Sequence, residues 1–156
     1  MDYVRTDIQE AKNMKEEMVQ WRRRLHQIPE TGLDLPQTAA FVREKLDSFQ
    51  IPYDTLVNGN CIVAHLGKGE GCLLLRADMD ALPMKEETGL PFASQNDNMH
   101  ACGHDLHAAA LLAAAKILKS HEEDLKCAVK LMFQPAEEIF AGARSAIGEG
   151  VLENPQ

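Results

Sequence analysis

The segment that most limits the fold lies at residues 105–119, DLHAAALLAAAKILK, where apolar side chains occupy nearly the whole circumference of a helical period. Such a helix has almost no water-facing side, and its alanines let it approach a neighbour closely. It must be covered, and the flanking runs say by what. CLLLRA at 72–77 precedes it and AVKLMF at 128–133 follows it, each a short apolar stretch of strand length. A buried helix between two strands predicts an α/β fold, a mixed or partly parallel sheet covered by helices in a three-layer-like arrangement.

Two more helices are expected upstream. Met14, Met18, Trp21, Leu25 and Ile28 form one apolar stripe, from about Ile8 or Lys15 to Gln27, and Pro29 and Gly32 end it. Leu35, Ala39, Val42, Leu46 and Phe49 form the stripe of a helix at about 37–49, with Pro36 where a first-turn proline is tolerated. Residues 53–57 and 61–66 read as strands, and 141–148 as a last helix. GKGEG at 67–71 is expected to be a hairpin or short loop between neighbouring strands. It is not a phosphate loop, because its glycines lead into a strand rather than into a helix N-terminus. Asp105 is the expected N-cap of the buried helix. Cys61, Cys72 and Cys127 lie in apolar runs and are expected to be buried free thiols. Arg22, Arg23 and Arg24 read as a solvated face.

Length and charge narrow the class. The chain has 156 residues, enough for one domain, and 24 acidic against 16 basic residues leave a net charge of −8. That balance argues against nucleic acid, whose binding needs clustered positive charge. Residues 1–18 lack the apolar core of a signal peptide, and the longest near-apolar run, at 108–115, is far short of the roughly 20 residues of a membrane span. A cytoplasmic protein without membrane contact is the expectation.

Against this apolar plan, polar residues gather in three places. Asp78-Met79-Asp80 follows the strand at 72–77, and residues two apart in extended chain share a face. His100-Ala101-Cys102-Gly103-His104-Asp105 precedes the buried helix. Gln134-Pro135-Ala136-Glu137-Glu138 follows the strand at 128–133. Open α/β sheets place ligand sites at the carboxyl ends of their strands, and converging acids there need a neutralising group. Thiolate, imidazole and carboxylate from Cys102, His104 and Glu138 suit zinc or another borderline divalent metal better than magnesium or calcium. Glu137 and Glu138 are adjacent and point apart, which allows one to ligate while the other moves a proton. His26 and His107, near helix ends, stand outside these clusters. No G-x-S-x-G or H-E-x-x-H pattern occurs.

LLLRADMDALPMKEETGLPFAS, MHACGHDLHAAALLAAAKIL and KLMFQPAEE closely resemble the amidohydrolase branch of metallopeptidase family M20, and WRRRLHQIPETGLDLPQTAAFV resembles its opening. The resemblance runs from about Met14 to Glu153. It implies the N-terminal part of a zinc-peptidase catalytic domain and hydrolysis of N-acyl amino acids, as in hippurate hydrolases and auxin-conjugate hydrolases. Cys102 and His104 would be metal ligands, Cys102 the bridge between two ions, Glu138 a further ligand and Glu137 the general base. Asp80 would support the catalytic site. Asp78 stands where related branches have a ligating histidine. The metal would be zinc or manganese, with nickel or cobalt as alternatives. It would comprise two ions in the complete site and at most a partial centre here. His104 would be oriented through its other nitrogen by Asp80 or Asp105.

The departure from that family is length. Residues 1–156 read as one partial catalytic domain, truncated at its C-terminal side, without the lid and dimerisation domain and without the later histidine ligands. Three functional readings follow. The chain is a metal-dependent amidohydrolase, an inactive truncated homologue or fragment that requires a missing second half, or a non-enzymatic interaction module. Truncation also predicts an exposed apolar face or edge, covered in a homo-oligomer or by a C-terminal half.

Overall fold

Alternation along two central strands sorts the molecule into layers, as a computed structural model describes it for residues 3–153, with side chains from Ile8 onward. In β2 (Cys61–Leu66), Ile62, Ala64 and Leu66 face one side, and in β4 (Ala128–Gln134), Val129, Leu131 and Phe133 do the same. Cys61, Val63 and Met132 face the other side. The two-residue period of extended chain thus feeds two separate cores.

The larger core lies under the helices α2 (Lys15–His26), α3 (Pro36–Ser48) and α4 (His104–Ser120), with Leu25, Leu35, Ala39, Val42, Leu46 and Leu112 wholly buried. The smaller lies under α5 (Gly142–Gly148), where Ala146 and the following Val151 meet Val63 and Met132. The expected mixed sheet between helical layers is the fold observed. Pro36 begins α3, and Glu30 closes the start of that helix by accepting the backbone N–H of Gln37 and Thr38.

The sheet runs β1-β2-β4-β3, with β1 at Tyr53–Leu56 and β3 at Cys72–Asp78. β1, β2 and β4 are successively antiparallel, whereas β3 is parallel to β4. The parallel pair, bridged by α4, sets the level of the site. Asp78 is in register with Gln134, and the N–H of Met79 donates to the Gln134 carbonyl at 2.8 Å. The DMD and QPAEE segments therefore leave the sheet side by side. β3 is an edge strand, with Leu73 about half exposed.

Several local expectations need correction. β2 and β3 are consecutive but not neighbours, because β4 lies between them. The GKGEG loop passes the entry of β4 so closely that a Cβ on Gly67 or Gly69 would come 2.6 Å from the carbonyl oxygen of Cys127 or Lys126. The first helical stretch is two helices, since α1 (Tyr3–Asn13) precedes α2 and Met14 joins them. Gly103, at φ +87°, occupies the cap position of α4, and Asp105 lies inside its first turn. Only Cys61 is buried among the three cysteines expected to be. Cys72 and Cys127 sit near the end of the sheet and are half-buried. The arginine run is not simply solvated either: Arg22 reaches inward to Asp105, 2.7 Å from Nε to Oδ2.

Candidate metal centre

Asp80 organises the site. It is wholly buried, and its two carboxylate oxygens accept the backbone N–H of Glu137 at 2.9 Å and of Glu138 at 3.0 Å. Its main-chain carbonyl accepts a hydrogen bond from His104 Nδ1 at 2.8 Å. One residue thus ties together the strand ends and the start of α4. Burial alone would raise the Asp80 carboxyl, but hydrogen bonds from His104 and from the two backbone amides hold it below the ordinary range.

With Nδ1 engaged, Nε2 is the His104 nitrogen left to face outward from the ring, and it offers a lone pair once its proton is lost. It lies 3.6 Å from Asp78 Oδ1, 3.8 Å from Glu137 Oε2 and 3.8 Å from Glu138 Oε1. These separations are too long for hydrogen bonds. They are close to the roughly 3.4 Å expected between two ligands about 2.1 Å from one tetrahedral ion. Cys102 Sγ, a His104 ring nitrogen and a Glu138 oxygen all lie within 4.8 Å of one another. Glu138 Oε1 is buried without a hydrogen-bond partner. A sulfur, nitrogen and oxygen donor set around an orphaned carboxylate oxygen fits a borderline divalent ion.

Local backbone geometry aims these groups. Gly103 takes a left-handed turn between Cys102 and His104, a conformation that disfavours any side chain although the space beside it is open. In the QPAEE segment, Ala136 has φ +56°, and its carbonyl accepts the N–H of Ala141 and of Gly142. Gly142 passes so near Pro135 that an added Cβ would lie 1.6 Å from its carbonyl oxygen.

The acids around His104 shape its charge. Burial lowers its pKa, but the hydrogen bond to Asp80 and the charge of Asp78 outweigh that and push it up to about 8. The exposed Cys102 thiol is raised, first by the Glu138 carboxylate beside it, then by desolvation and by the charges of Glu138, Glu137 and Asp78. His100, buried with neither ring nitrogen hydrogen-bonded, is pulled down to about 4 by desolvation.

The residues singled out in sequence thus come together: Asp78, Asp80, Cys102, His104, Glu137 and Glu138 share one rim. Asp78 and Asp80 do share a face, flanking the two nitrogens of one imidazole. Of the two residues expected to orient His104, Asp80 does so, chiefly through its main-chain carbonyl at 2.8 Å with its carboxylate at 3.5 Å, whereas Asp105 is held by Arg22 and His26. His107, which stands outside the three clusters in the sequence, stacks on His104 with ring centroids 5.6 Å apart and places Nδ1 2.5 Å from Asp78 Oδ1. Its three-residue spacing from His104 on one helix was the available signal. Asp78, His104 and His107 form a second trio of metal-type donors, although Arg76 also binds Asp78, at 3.1 Å.

Residues 74–156 match the family described as Peptidase family M20/M25/M40. The chain belongs to this family. Within M20 it falls in the amidohydrolase branch. It is 45% identical over 145 residues to the N-acetyl-L-cysteine deacetylase of Bacillus subtilis, covering 90% of this chain and 34% of that protein. To the hippurate hydrolase of Campylobacter jejuni it is 42% identical over 149 residues, covering 94% and 38%. Its fold superposes on the Bacillus subtilis YXEP protein, a dinuclear metal binding peptidase from the M20 family, with a TM-score of 0.86 and 39% identity, over 90% of this chain and 41% of that one. The chain thus spans little more than a third of the length of these relatives. No helix among the described residues is long and apolar enough to cross a membrane.

Proposed function

We propose that this chain carries part of the hydrolytic centre of a metal-dependent amidohydrolase that cleaves the amide bond of N-acyl amino acids. The observation that carries the reading is the convergence of Cys102, His104 and Glu138 within 4.8 Å, with a buried, unpartnered carboxylate oxygen among them. The substrate class is supported by the names of two relatives, an N-acetyl-L-cysteine deacetylase and a hippurate hydrolase.

Cys102, His104 and Glu138 hold the ion, zinc or manganese by preference and nickel or cobalt as alternatives. When bound, it supplies Lewis-acid stabilisation of the developing oxyanion and acidifies a water. Glu137 is the general base. It takes the proton of the attacking water and returns it to the leaving amine, which separates a carboxylate and a free amino acid. Asp80 touches none of the reacting atoms and acts as a positioning residue, holding the backbone of both glutamates and the ring of His104. Three donors leave coordination positions for ligands from outside these residues, in a C-terminal half or a second copy. A second reading rests on the same count: the chain binds an ion and turns over substrate only once those ligands arrive.

The test pairs metal analysis with hydrolysis of hippurate and N-acetyl amino acids. Cys102→Ala is expected to shed metal, whereas Glu137→Gln keeps it and removes any activity. Full metal content in Cys102→Ala overturns the ligand assignment.

A further inference from the structure

We propose that His26 is a positioning residue that sets the loop bearing Cys102 against the helix bearing His104. The proposal builds on the reading of those two residues as ligands, but its decisive measurement needs no metal.

His26 is the last residue of α2 and is 2% exposed. Its Nδ1 lies 2.7 Å from Asp105 Oδ2, and its Nε2 lies 3.2 Å from the carboxylate of Glu86. Asp105 directly follows His104 in the first turn of α4. Glu86 belongs to the long loop between β3 and α4 and organises its outer part, accepting the Ser94 N–H at 2.6 Å and the Thr88 hydroxyl. That outer part closes on itself through paired backbone hydrogen bonds between Leu82 and Met99, three residues before Cys102. One imidazole therefore spans the two segments that deliver the sulfur and the nitrogen of the centre.

The contact is built rather than incidental. The side chains of Asp105 and Glu86 are both shielded from water, and a buried carboxylate without donors is driven to move toward solvent. α2 meets both acids with one face: His26 lies against Asp105 and Glu86, and Arg22, four residues earlier, against Asp105, while the Leu106 N–H donates to Asp105 and the Ser94 N–H and Thr88 hydroxyl donate to Glu86. Phe92 closes the cluster, edge-on to His26 at 5.7 Å and beneath the guanidinium groups of Arg22 and Arg23. His26 reaches neither Cys102 nor His104 directly, so its effect passes through the two acids. Without it, Glu86 loses its tie to α2, and Asp105 keeps Arg22 and the adjacent Leu106 N–H but nothing from the loop side. The loop keeps its anchors from Asn96 and Asn98 to the Pro29 carbonyl, but the first turn of α4 and the Glu86 part of the loop lose the imidazole that joins them.

The two ring nitrogens can be removed one at a time. In His26→Asn the amide nitrogen stands near the former Nδ1 and keeps the Asp105 arm. In His26→Gln it stands near the former Nε2 and keeps the Glu86 arm. Amide hydrogen exchange of the metal-free protein reads each arm. Ser94, Leu82 and Met99 report the loop, and Leu106 and His107, both bonded to the Gly103 carbonyl, report the start of α4. The expected result is a split. Asn speeds the loop amides at least tenfold and spares Leu106 and His107, while Gln does the reverse. Amides of Leu131 and Phe133 in β4 stay at wild-type rates in both. Equal acceleration everywhere, or none at either set, overturns the proposal.

A cobalt(II) titration, followed by the thiolate-to-cobalt absorption band, connects this to the centre. Wild type is expected to show the band, and each variant to need at least tenfold more cobalt to reach it. A wild type without the band defeats the ligand assignment, while the exchange split still decides the clamp. A wild-type band with unchanged affinity in both variants defeats the positioning role.

Discussion

Replacing Asp80 with asparagine tests the site's frame at its most loaded point. The side chain keeps its shape but exchanges one acceptor oxygen for an NH2 group. Both carboxylate oxygens accept a backbone N–H, from Glu137 at 2.9 Å and Glu138 at 3.0 Å, and Asp80 has no exposed surface. One of those amides must therefore meet a donor, whichever way the asparagine is turned. A hydrogen bond to a charged acceptor is worth about 1.5–3 kcal/mol, and a buried donor left unpaired costs about 1–3 kcal/mol more. The expected loss is about 3–5 kcal/mol, a large part of the roughly 5–15 kcal/mol that holds a domain together. Urea denaturation at neutral pH measures it. The pH dependence supplies a second check. Because the folded carboxyl sits below its ordinary 3.8, its contribution is present above that value and fades as pH falls further, through the folded pKa. Wild type and variant should converge in stability below about pH 4. A loss under about 1 kcal/mol at neutral pH would refute the assigned role of those two hydrogen bonds. A difference that stays constant into acid would refute its charge dependence.

Other outcomes are as specific. His104 titrates at about 8 and the Cys102 thiol is raised above its usual 9, so ion binding between pH 6 and 7.5 must expel a proton from each. Cobalt affinity should rise about a hundredfold per pH unit there; a rise of about tenfold would exclude one of the two as a ligand, and a slope near zero both. Gly142→Ala places a Cβ 1.6 Å from the Pro135 carbonyl oxygen. It should cost about 3 kcal/mol or more on thermal unfolding, and cobalt binding should weaken with it; a variant that melts with wild type would show that the turn can open freely. Leu112→Ala, in the middle of α4 and wholly buried, should cost about 2–5 kcal/mol while leaving the cobalt spectrum unchanged. A changed spectrum would mean that α4 shifts as a unit and carries His104 with it.

Much of this arrangement was legible because periodic signals are strong where one face is buried. The α3 stripe of Leu35, Ala39, Val42 and Leu46 is wholly buried as its spacing required, and the alternation in β2 and β4 assigned their faces. What the pattern lacked was strand order. A glycine-rich link of five residues reads as a hairpin, but nothing local records that β4, more than fifty residues later, enters between the two strands it joins. The arginine run misled for a related reason. Arg22 shares a helix face with His26, yet its partner Asp105 lies far along the chain, and a long-range ion pair leaves no periodicity.

The site divides along the same line. Which residue types could bind an ion was readable from Cys102, His104 and Glu138, because donor chemistry belongs to the side chain. How they are oriented was not, because main-chain groups do most of it. The Asp80 carbonyl, rather than a carboxylate chosen by residue type, makes the shortest contact with His104 Nδ1, and the amides of Glu137 and Glu138 receive their acceptors from Asp80. Every residue has a carbonyl and nearly every one an amide, so no motif marks the few that are used. Their selection comes from the register of the parallel pair, which sets Asp78 opposite Gln134 and so carries Asp80 to the amides beyond Pro135. A one-residue slip in that pairing would preserve every motif and still turn the glutamates away from the histidine.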